Sequence, residues 1–529
     1  MSRSIVSFFT RSRFDYKSSL INYKYYNVIR DSGLFDKEFY ANTYDDVSGD
    51  ELTHFLVKGL NEGKLPSLEF DSDFYLKTYP DVKQAHINPL LHYVAYGKNE
   101  GKIIQNSYCI RRKDEILQTN LAFLTNYEFE NEELVSIIIL NRNGLNHLKR
   151  LFKDFNAKTN YSNYEIIVVD NASDDESVNY LKSLDLPITI IENETNVSFS
   201  KGNNDAAKIA KGKYLLLLNN DIEPTYGWLN ELVGTIENNE NVAAVGSKLV
   251  FPFYFNYNRQ KSYKIQHSGD IFAERMYPCC LYAVNKADSN LDIFDSSLTK
   301  NNYCIAVTGA VMLVDKKVYD ELGGLCEDYN YGLEDVDFCL KVYENNYNII
   351  FAANSLLFHH ESSTRVKNEK YFENDKRNYS VFWNKWGNYL SKNLLLDKIE
   401  NKGFFTNKKL KITIINHDDK NLDFISKISK DFAKLGFTVE LITNMNNLYV
   451  GNSSDILLSF TDKYNLNSII ARNDIVKVLI LTDSSLSSDD YNLTVSCDES
   501  ISSDILIKKD FVFEFLDKLE KILLDDYEF

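Results

Sequence analysis

The chain has 529 residues, enough for several domains, and its 44% hydrophobic and 26% charged residues are the composition of globular protein rather than of a disordered chain. A net charge of −17 argues against a nucleic-acid polyanion as the main partner. It leaves room for a phosphate-bearing small molecule, which backbone amides, a few cations or a metal can hold locally.

At the start, Arg3, Arg11 and Arg13 beside Phe8 and Phe9 surround an apolar run too short for a signal peptide. This end is expected to be a loose terminus, with weak contact with the inner membrane face as the alternative. No run approaches the roughly 18 apolar residues of a spanning helix. The 7 cysteines form no CxxC pair, which predicts reduced thiols and a cytoplasmic location. Aromatics are abundant, with 35 Tyr and 33 Phe beside only 3 Trp and 7 Pro.

An internal repeat follows. Phe35-Asp-Lys-Glu-Phe-Tyr-Ala-Asn-Thr-Tyr-Asp-Asp-Val47 returns as Phe70-Asp-Ser-Asp-Phe-Tyr-Leu-Lys-Thr-Tyr-Pro-Asp-Val82. His54-Phe-Leu-Val-Lys-Gly-Leu-Asn-Glu-Gly63 returns as His92-Tyr-Val-Ala-Tyr-Gly-Lys-Asn-Glu-Gly101, with extra residues in the middle of the second copy. Each unit reads as two short helices, begun near Asp36 or Asp71 and closed near Gly63 or Gly101. Aromatics (Phe35, Phe39, Tyr40, Tyr44 and their counterparts Phe70, Phe74, Tyr75, Tyr79) form the inward face, and His54 and His92 read as packing or capping residues rather than metal ligands. The predicted divisions are an N-terminal segment over 1–30, the all-α repeat module over 31–105 and a polar linker over 106–133.

Apolar runs then alternate with helical segments: Val135–Leu140, Glu165–Val169, Ile188–Ile191, Tyr214–Leu218, Val242–Val245 and Ala306–Val314. The rhythm predicts an α/β domain over 134–395 with a largely parallel sheet, whose ligands sit beyond the strand C-terminal ends. It restarts at Lys411–Asn416, Thr438–Thr443, Asp455–Ser459, Lys477–Leu481 and Asn492–Ser496, with a closing helix Phe511–Leu524. This gives a smaller α/β domain over 405–529, without a Gly-rich phosphate loop or catalytic cluster.

Several strand ends carry chemistry. The first ends in Leu140-Asn-Arg-Asn-Gly144 and enters a helix, a place where a nucleotide can be approached. The second ends in Asp170 and Asn171, followed by a capping box, Ser173-Asp-Asp-Glu176. Asp170 either accepts hydrogen bonds from a base or ribose, or simply orders the turn. Asn196-Val-Ser-Phe-Ser-Lys-Gly-Asn-Asn204 precedes a buried strand ending in Asn219-Asn-Asp221, where a rigidly held carboxylate suits a divalent cation on a pyrophosphate. Thr308-Gly-Ala-Val-Met-Leu-Val is followed by Glu334 and Asp335, which open an amphipathic helix with Val336, Cys339, Leu340 and Tyr343 on one face. There the acidic pair either caps the helix or reaches a cleft. Phe358-His-His-Glu-Ser-Ser-Thr-Arg365 offers a histidine, a natural metal ligand, after a strand.

This ordered set resembles the inverting family 2 glycosyltransferases of GT-A fold, nearest the rhamnosyltransferase-like branch, over about Leu134 to Leu395. The repeat resembles helical modules attached to surface-polysaccharide enzymes. The resemblance implies a GT-A nucleotide-diphospho-sugar transferase fold, preceded by the repeat module and followed by a Rossmann-like accessory domain. It implies that Asn141, Asp170 and Asn171 contact base and ribose, and that Asn196, Lys201 and Asn204 lie along the ribose-phosphate side. Asp221 would hold a Mn2+ or Mg2+ ion completed by His359 (His360 being the other choice), Asp335 would be the general base, and Glu334 would position the acceptor. The implied partners are a nucleotide-diphosphate sugar and a glycan or lipid-linked glycan acceptor, which allows peripheral membrane contact. Tyr329, Tyr331 and Phe338 are expected to form an aromatic platform for the acceptor.

Two departures stand out: a single Asp in Asn219-Asn-Asp221, with Asp221-Ile-Glu223 as a second possible metal pair, and Cys326 where the family often has an acid. The competing readings are an inactive glycan-binding scaffold and a nucleotidyltransferase. The latter would need a Gly-rich signature that Asn141-Arg-Asn-Gly144 does not supply.

Overall fold

The computed structural model describes residues 19–44, 46–47, 49–59, 64–67, 70–85, 87–104, 107–252, 263–274, 281–286, 291–360, 369–416, 421–443, 454–462, 475–482, 486 and 491–524. The basic terminus with Arg3, Phe8, Phe9, Arg11 and Arg13 lies outside them, as do Gly63, Cys279, Cys280 and the segment Glu361–Arg365. Among the described residues no helix is long and apolar enough to cross a membrane.

The two repeat copies are built on the same contacts. Asp36 and Asp71 cap helices Lys37–Thr43 and Ser72–Thr78, accepting from the N–H groups of Phe39 and Phe74 at 2.9 and 2.8 Å. Tyr40 and Tyr75 are fully buried, and each hydroxyl lies 2.9 Å from Nδ1 of His54 or His92. The histidines are therefore hydrogen-bonded packing residues. A Cβ on Gly59 would stand 1.8 Å from the Tyr40 hydroxyl, and one on Gly97 2.3 Å from that of Tyr75, so both tyrosines need the absent side chain. The second copy also carries a short helix, Pro80–Gln84, with proline at its first turn; it begins within the matched segment and runs toward the extra residues that precede His92. Ile29, from helix Ser19–Arg30, fills the same core, so packing begins before residue 31.

The stretch read as a linker is instead a packed helix, Ser107–Phe123, followed by an extended segment. Its charged residues mask a narrow apolar stripe. Ile116 is buried against Val250, Ile293, Leu356 and Phe358, and Arg112 pairs with Asp292 at 2.9 Å. Beyond it, the Thr125 backbone N–H and hydroxyl both donate to buried Glu231.

The strands of the next unit are β1 (Val135–Asn141), β2 (Tyr164–Asn171), β3 (Ile188–Asn193), β4 (Tyr214–Asn219), β5 (Ile222–Pro224), β6 (Val242–Val250), β7 (Ile265–His267), β8 (Asp270–Glu274), β9 (Leu281–Asn285), β10 (Asn302–Tyr303), β11 (Val311–Asp315) and β12 (Asn348–His359). Apart from the β8–β9 hairpin they form a 10-stranded sheet in the order β10-β12-β6-β11-β4-β1-β2-β3, with β5 on β12 and β7 on β6. Strands β3, β2, β1 and β4 are parallel, as their apolar runs predict. The sheet is more mixed than expected, because β11 is antiparallel to both β4 and β6. The predicted strand Ala306–Val314 starts only at Val311; Ala306 forms an isolated bridge to Asp270. Cores on both faces of the sheet bury it, one around Trp228 and Phe155, the other around Phe338, Phe382 and Trp386.

Helix Glu369–Glu400 runs 32 residues and reaches into the last unit, whose first strand follows after the irregular segment 401–410. Trp386, Leu390 and Leu394 pack on the larger sheet's core, whereas Leu395 joins the core of the smaller one. Near its end Lys398 makes a buried ion pair with Asp455. The smaller sheet has strands β13 (Lys411–Ile415), β14 (Thr438–Ile442), β15 (Ile456–Ser459), β16 (Val476–Leu481), β17 (Leu493–Ser496) and β18 (Ile505–Leu506). They are parallel throughout in the order β14-β13-β15-β16-β17-β18, with helices Leu422–Lys434 and Phe511–Leu524 packed on them.

Candidate active site

The tips of β1 and β2 are stitched together by side chains. Asn141 Nδ2 donates to Asp170 Oδ1 at 3.0 Å, and its Oδ1 accepts from Asn220 Nδ2 at 2.9 Å. Ser173 donates to the same carboxylate through Oγ, at 2.6 Å, and through its backbone N–H, at 2.9 Å. The Ser173–Glu176 capping box is therefore not formed: Asp170 claims the serine, and helix Ser177–Lys182 starts without a side-chain cap. Asp170 orders its turn, and as a carboxylate it keeps acceptor capacity for a ligand. Asn171, also buried, accepts from Asn193 at 2.9 Å and donates to Val197 O at 3.3 Å, which ties it to the segment containing exposed Asn196. Lys201 pairs along its own helix with Asp205 at 2.8 Å. Asn204 is consumed inside the protein: its Oδ1 accepts from Tyr319 and Leu325, and its Nδ2 donates to Leu325 O and Glu327. It holds the loop that carries Gly324 and Cys326, whose thiol faces Asp328 at 3.8 Å.

The second cluster forms where β5 pairs with the end of β12, setting His359 opposite Ile222. His359 Nε2 is 3.1 Å from Asp221 Oδ1, while His360 Nε2 is 3.4 Å from Glu223 Oε2. Between the two histidines, His359 is the one that meets Asp221. Burial opposes ionisation of Asp221, but His359 beside it holds its carboxyl well below the usual range. Glu223 is likewise buried yet kept ionised by His360 and Lys113. Burial and the Arg150 charge push His360 down to about 3, so it is a neutral imidazole. No group of three or more His, Cys, Asp or Glu among the described residues is arranged to enclose a metal. An oxygen and a nitrogen donor at one sheet edge nevertheless fit an Mg2+ or Mn2+ ion held mainly by substrate phosphates and water.

The third cluster depends on the reversed strand. The Asn219 N–H donates to Ala310 O at 2.9 Å, joining the end of β4 to the entry of β11. The neighbouring Gly309 N–H donates to Asp335 Oδ2 at 2.8 Å. Burial raises the Asp335 pKa and the Asp270 charge adds to this, against the Gly309 N–H. Adjacent Glu334 is buried. Asp337, fully buried on the same helix, Glu334–Glu344, receives the Tyr329 hydroxyl at 3.1 Å, Lys385 Nζ at 2.7 Å and Trp386 Nε1 at 2.8 Å. This fixes the acidic helix against helix Glu369–Glu400. The expected aromatic platform is corrected accordingly: Tyr329 and Phe338 are core residues, and only Tyr331, 45% exposed, faces solvent.

Sequence reasoning missed His267 and Asp270. The His267 Nε2 accepts from the Gly269 and Thr308 N–H groups, both at 3.3 Å, so the ring proton sits on Nδ1, 3.4 Å from Asp270 Oδ1. This buried pair braces the loop that presents Gly309. Its signal is His267-Ser-Gly-Asp270, short polar residues between two strands.

A family model described as glycosyl transferase family 2 matches residues 136–290. The chain carries a glycosyl transferase family 2 domain. With its mixed sheet and flanking helices, this domain has the GT-A-like fold that the resemblance implies. Protein y4gI of Sinorhizobium fredii is 29% identical over 253 residues, covering 45% of this chain and 26% of that protein. O-antigen biosynthesis protein RfbC of Myxococcus xanthus is 28% identical over 253 residues, covering 46% and 19%. The matched part is thus about a quarter or less of these relatives' lengths. Among solved structures, GalNAc-T7 with UDP, GalNAc and Mn2+ aligns over 59% of this chain and 56% of its own, at 17% identity and a TM-score of 0.37.

Proposed function

We propose that the family 2 domain is an inverting, metal-dependent glycosyltransferase that moves a sugar from a nucleotide-diphosphate donor to a hydroxyl of a growing cell-surface glycan. The observation that carries this reading is the convergence of Asp221 and Asp335 on the β4–β11 junction, through the Asn219–Ala310 and Gly309–Asp335 hydrogen bonds. In this reading Asn141, Asp170, Asn171 and Asn196 face the nucleoside, and Asp221 with His359 would hold a divalent cation. When bound, the cation would stabilise charge on the departing diphosphate.

Asp335 takes the acceptor proton as the acceptor oxygen bonds to the anomeric carbon and the bond from that carbon to the diphosphate oxygen breaks. One displacement inverts the centre, and burial raises the pKa of Asp335 above the ordinary carboxylate range, which strengthens it as a base. The Gly309 N–H fixes one oxygen of Asp335, leaving the carboxylate oriented for the acceptor, and buried Glu334 stands beside it to position that hydroxyl. A hexose or deoxyhexose such as rhamnose is the sugar that the resemblance favours, and RfbC, named for O-antigen biosynthesis, supports a surface glycan as acceptor.

The test is nucleotide release from a panel of nucleotide sugars with Mn2+, wild type against Asp335→Asn. Loss in the variant supports the base; equal slow release by both means an inactive, glycan-binding protein.

A further inference from the structure

Helix Ser107–Phe123 precedes the family 2 domain in the chain, yet it delivers a cation to the candidate metal site. Lys113 Nζ lies 2.7 Å from Glu223 Oε1 and 5.3 Å from the ring centroid of Phe358, the residue before His359. The helix is held independently of this contact, by the Arg112–Asp292 pair at 2.9 Å and by buried Ile116. Asp221 is the turn residue immediately before β5, and Glu223 lies within that strand, two residues further along the chain. Their environments differ: Asp221 meets the imidazole of His359, whereas Glu223 meets an ammonium on one oxygen and His360 on the other.

We infer that Lys113 is a positioning residue for the metal site: it retains Glu223 in an ion pair and leaves Asp221 as the single carboxylate presented to a divalent cation. The inference rests on the metal reading of Asp221. Physically, a cation beside two uncompensated carboxylates is bound more tightly than beside one, and a charge a few ångströms away in a partly buried site changes affinity by about tenfold. A transferase that must release its nucleotide with the metal gains turnover from the weaker site. The segment before the domain thus sets metal affinity without touching the metal.

The experiment is titration of the full chain with MnCl2 alone, reading free Mn2+ by electron paramagnetic resonance. Lys113→Met is expected to tighten Mn2+ binding about tenfold. Glu223→Gln, which leaves Lys113 uncompensated, is expected to weaken it, and the double variant to return close to wild type. Lys158, whose charge also acts on Glu223, remains in every arm and keeps the comparison internal. Unchanged Mn2+ affinity in both single variants overturns the inference. Asp221→Asn separates the two failures: if it leaves Mn2+ binding intact, the metal reading fails; if it weakens binding while Lys113→Met does nothing, only the role of Lys113 fails.

Discussion

In the smaller sheet every neighbouring pair of strands runs parallel, and at its strand ends hydrogen bonds close locally: the Asn416 N–H reaches Ile442 O, Ser459 Oγ reaches Thr461 O, and Ser496 Oγ reaches Asp498 O. In the larger sheet the strands around β1 are parallel as well, but β11 enters antiparallel between β4 and β6. A reversed strand starts where its parallel neighbours end. The Thr308–Ala310 segment therefore arrives at the tip of β4 and offers the Gly309 N–H to Asp335, from a distant helix. Strand ends alone give polar turns; chemistry needs a second segment delivered to the same edge, and here the reversal delivers it.

The largest effect expected from breaking that arrangement is on catalysis. Asp335→Asn keeps the shape and the Gly309 contact but removes the proposed base, and should lower nucleotide release by about 10²–10⁴-fold. Asn416→Ala, at a tip of the smaller sheet, should leave the rate unchanged. The acid limb of the wild-type rate profile should lie above the ordinary carboxylate range, because burial raises the Asp335 pKa and only the ionised form accepts a proton.

Next comes stability. Asp337→Ala strands Lys385, Trp386 and the Tyr329 hydroxyl around a buried gap, and should cost about 3–5 kcal/mol in urea unfolding. Asp455→Ala leaves Lys398 buried without its carboxylate and should cost a similar amount, but with transferase chemistry at the β4–β11 junction retained under conditions where the chain is folded. If both changes abolish activity equally in folded protein, the two units are coupled in function and the contrast drawn between them fails.

Much of this was legible in the sequence, for a physical reason. Strands β1, β2, β4, β13, β15 and β16 are apolar runs buried on both faces, and the closing helix has the period that its buried face requires. Short edge strands such as β5 and β10 have no local signature, because only their tertiary partners make them strands. Helix Ser107–Phe123 reads as a linker, since burying Ile116 requires a surface lying far along the chain. In the site, the pattern around Asp221, Asp335 and His359 marks where residues stand, not what else claims them. Asn204 matches its motif position yet spends its amide on the Leu325 loop, and Lys113 lies in no motif at all.

A smaller effect tests whether that misread segment belongs to the larger unit. Burial pushes the Glu231 pKa up to about 7 from 4.5, against the two bonds from Thr125. Its folded pKa lies above the unfolded one, so its contribution to stability is full below about 4.5 and is lost as pH rises through about 7. Glu231→Gln should therefore leave the melting temperature unchanged near pH 4.5 and raise stability by about 3 kcal/mol at pH 8. A gain of equal size at both values would mean that the carboxyl is not held protonated by its burial under Thr125.

The smallest effect separates motif from geometry. Lys201 stands at a position that the family resemblance assigns to the ribose-phosphate side, but its ammonium is exposed and paired with Asp205 along the helix. An exposed pair spaced four residues apart is worth about 0.3–0.5 kcal/mol, so Lys201→Ala should change stability by no more than that. If the side chain stays with Asp205 when the donor binds, the KM for nucleotide sugar should also hold within about twofold. A lysine that instead swings to the diphosphate would contribute a charge-assisted contact of about 1.5–3 kcal/mol, and its loss would raise KM by more than tenfold. Donor titration of Lys201→Ala thus decides whether the ion pair with Asp205 is a resting contact or the whole of what Lys201 does.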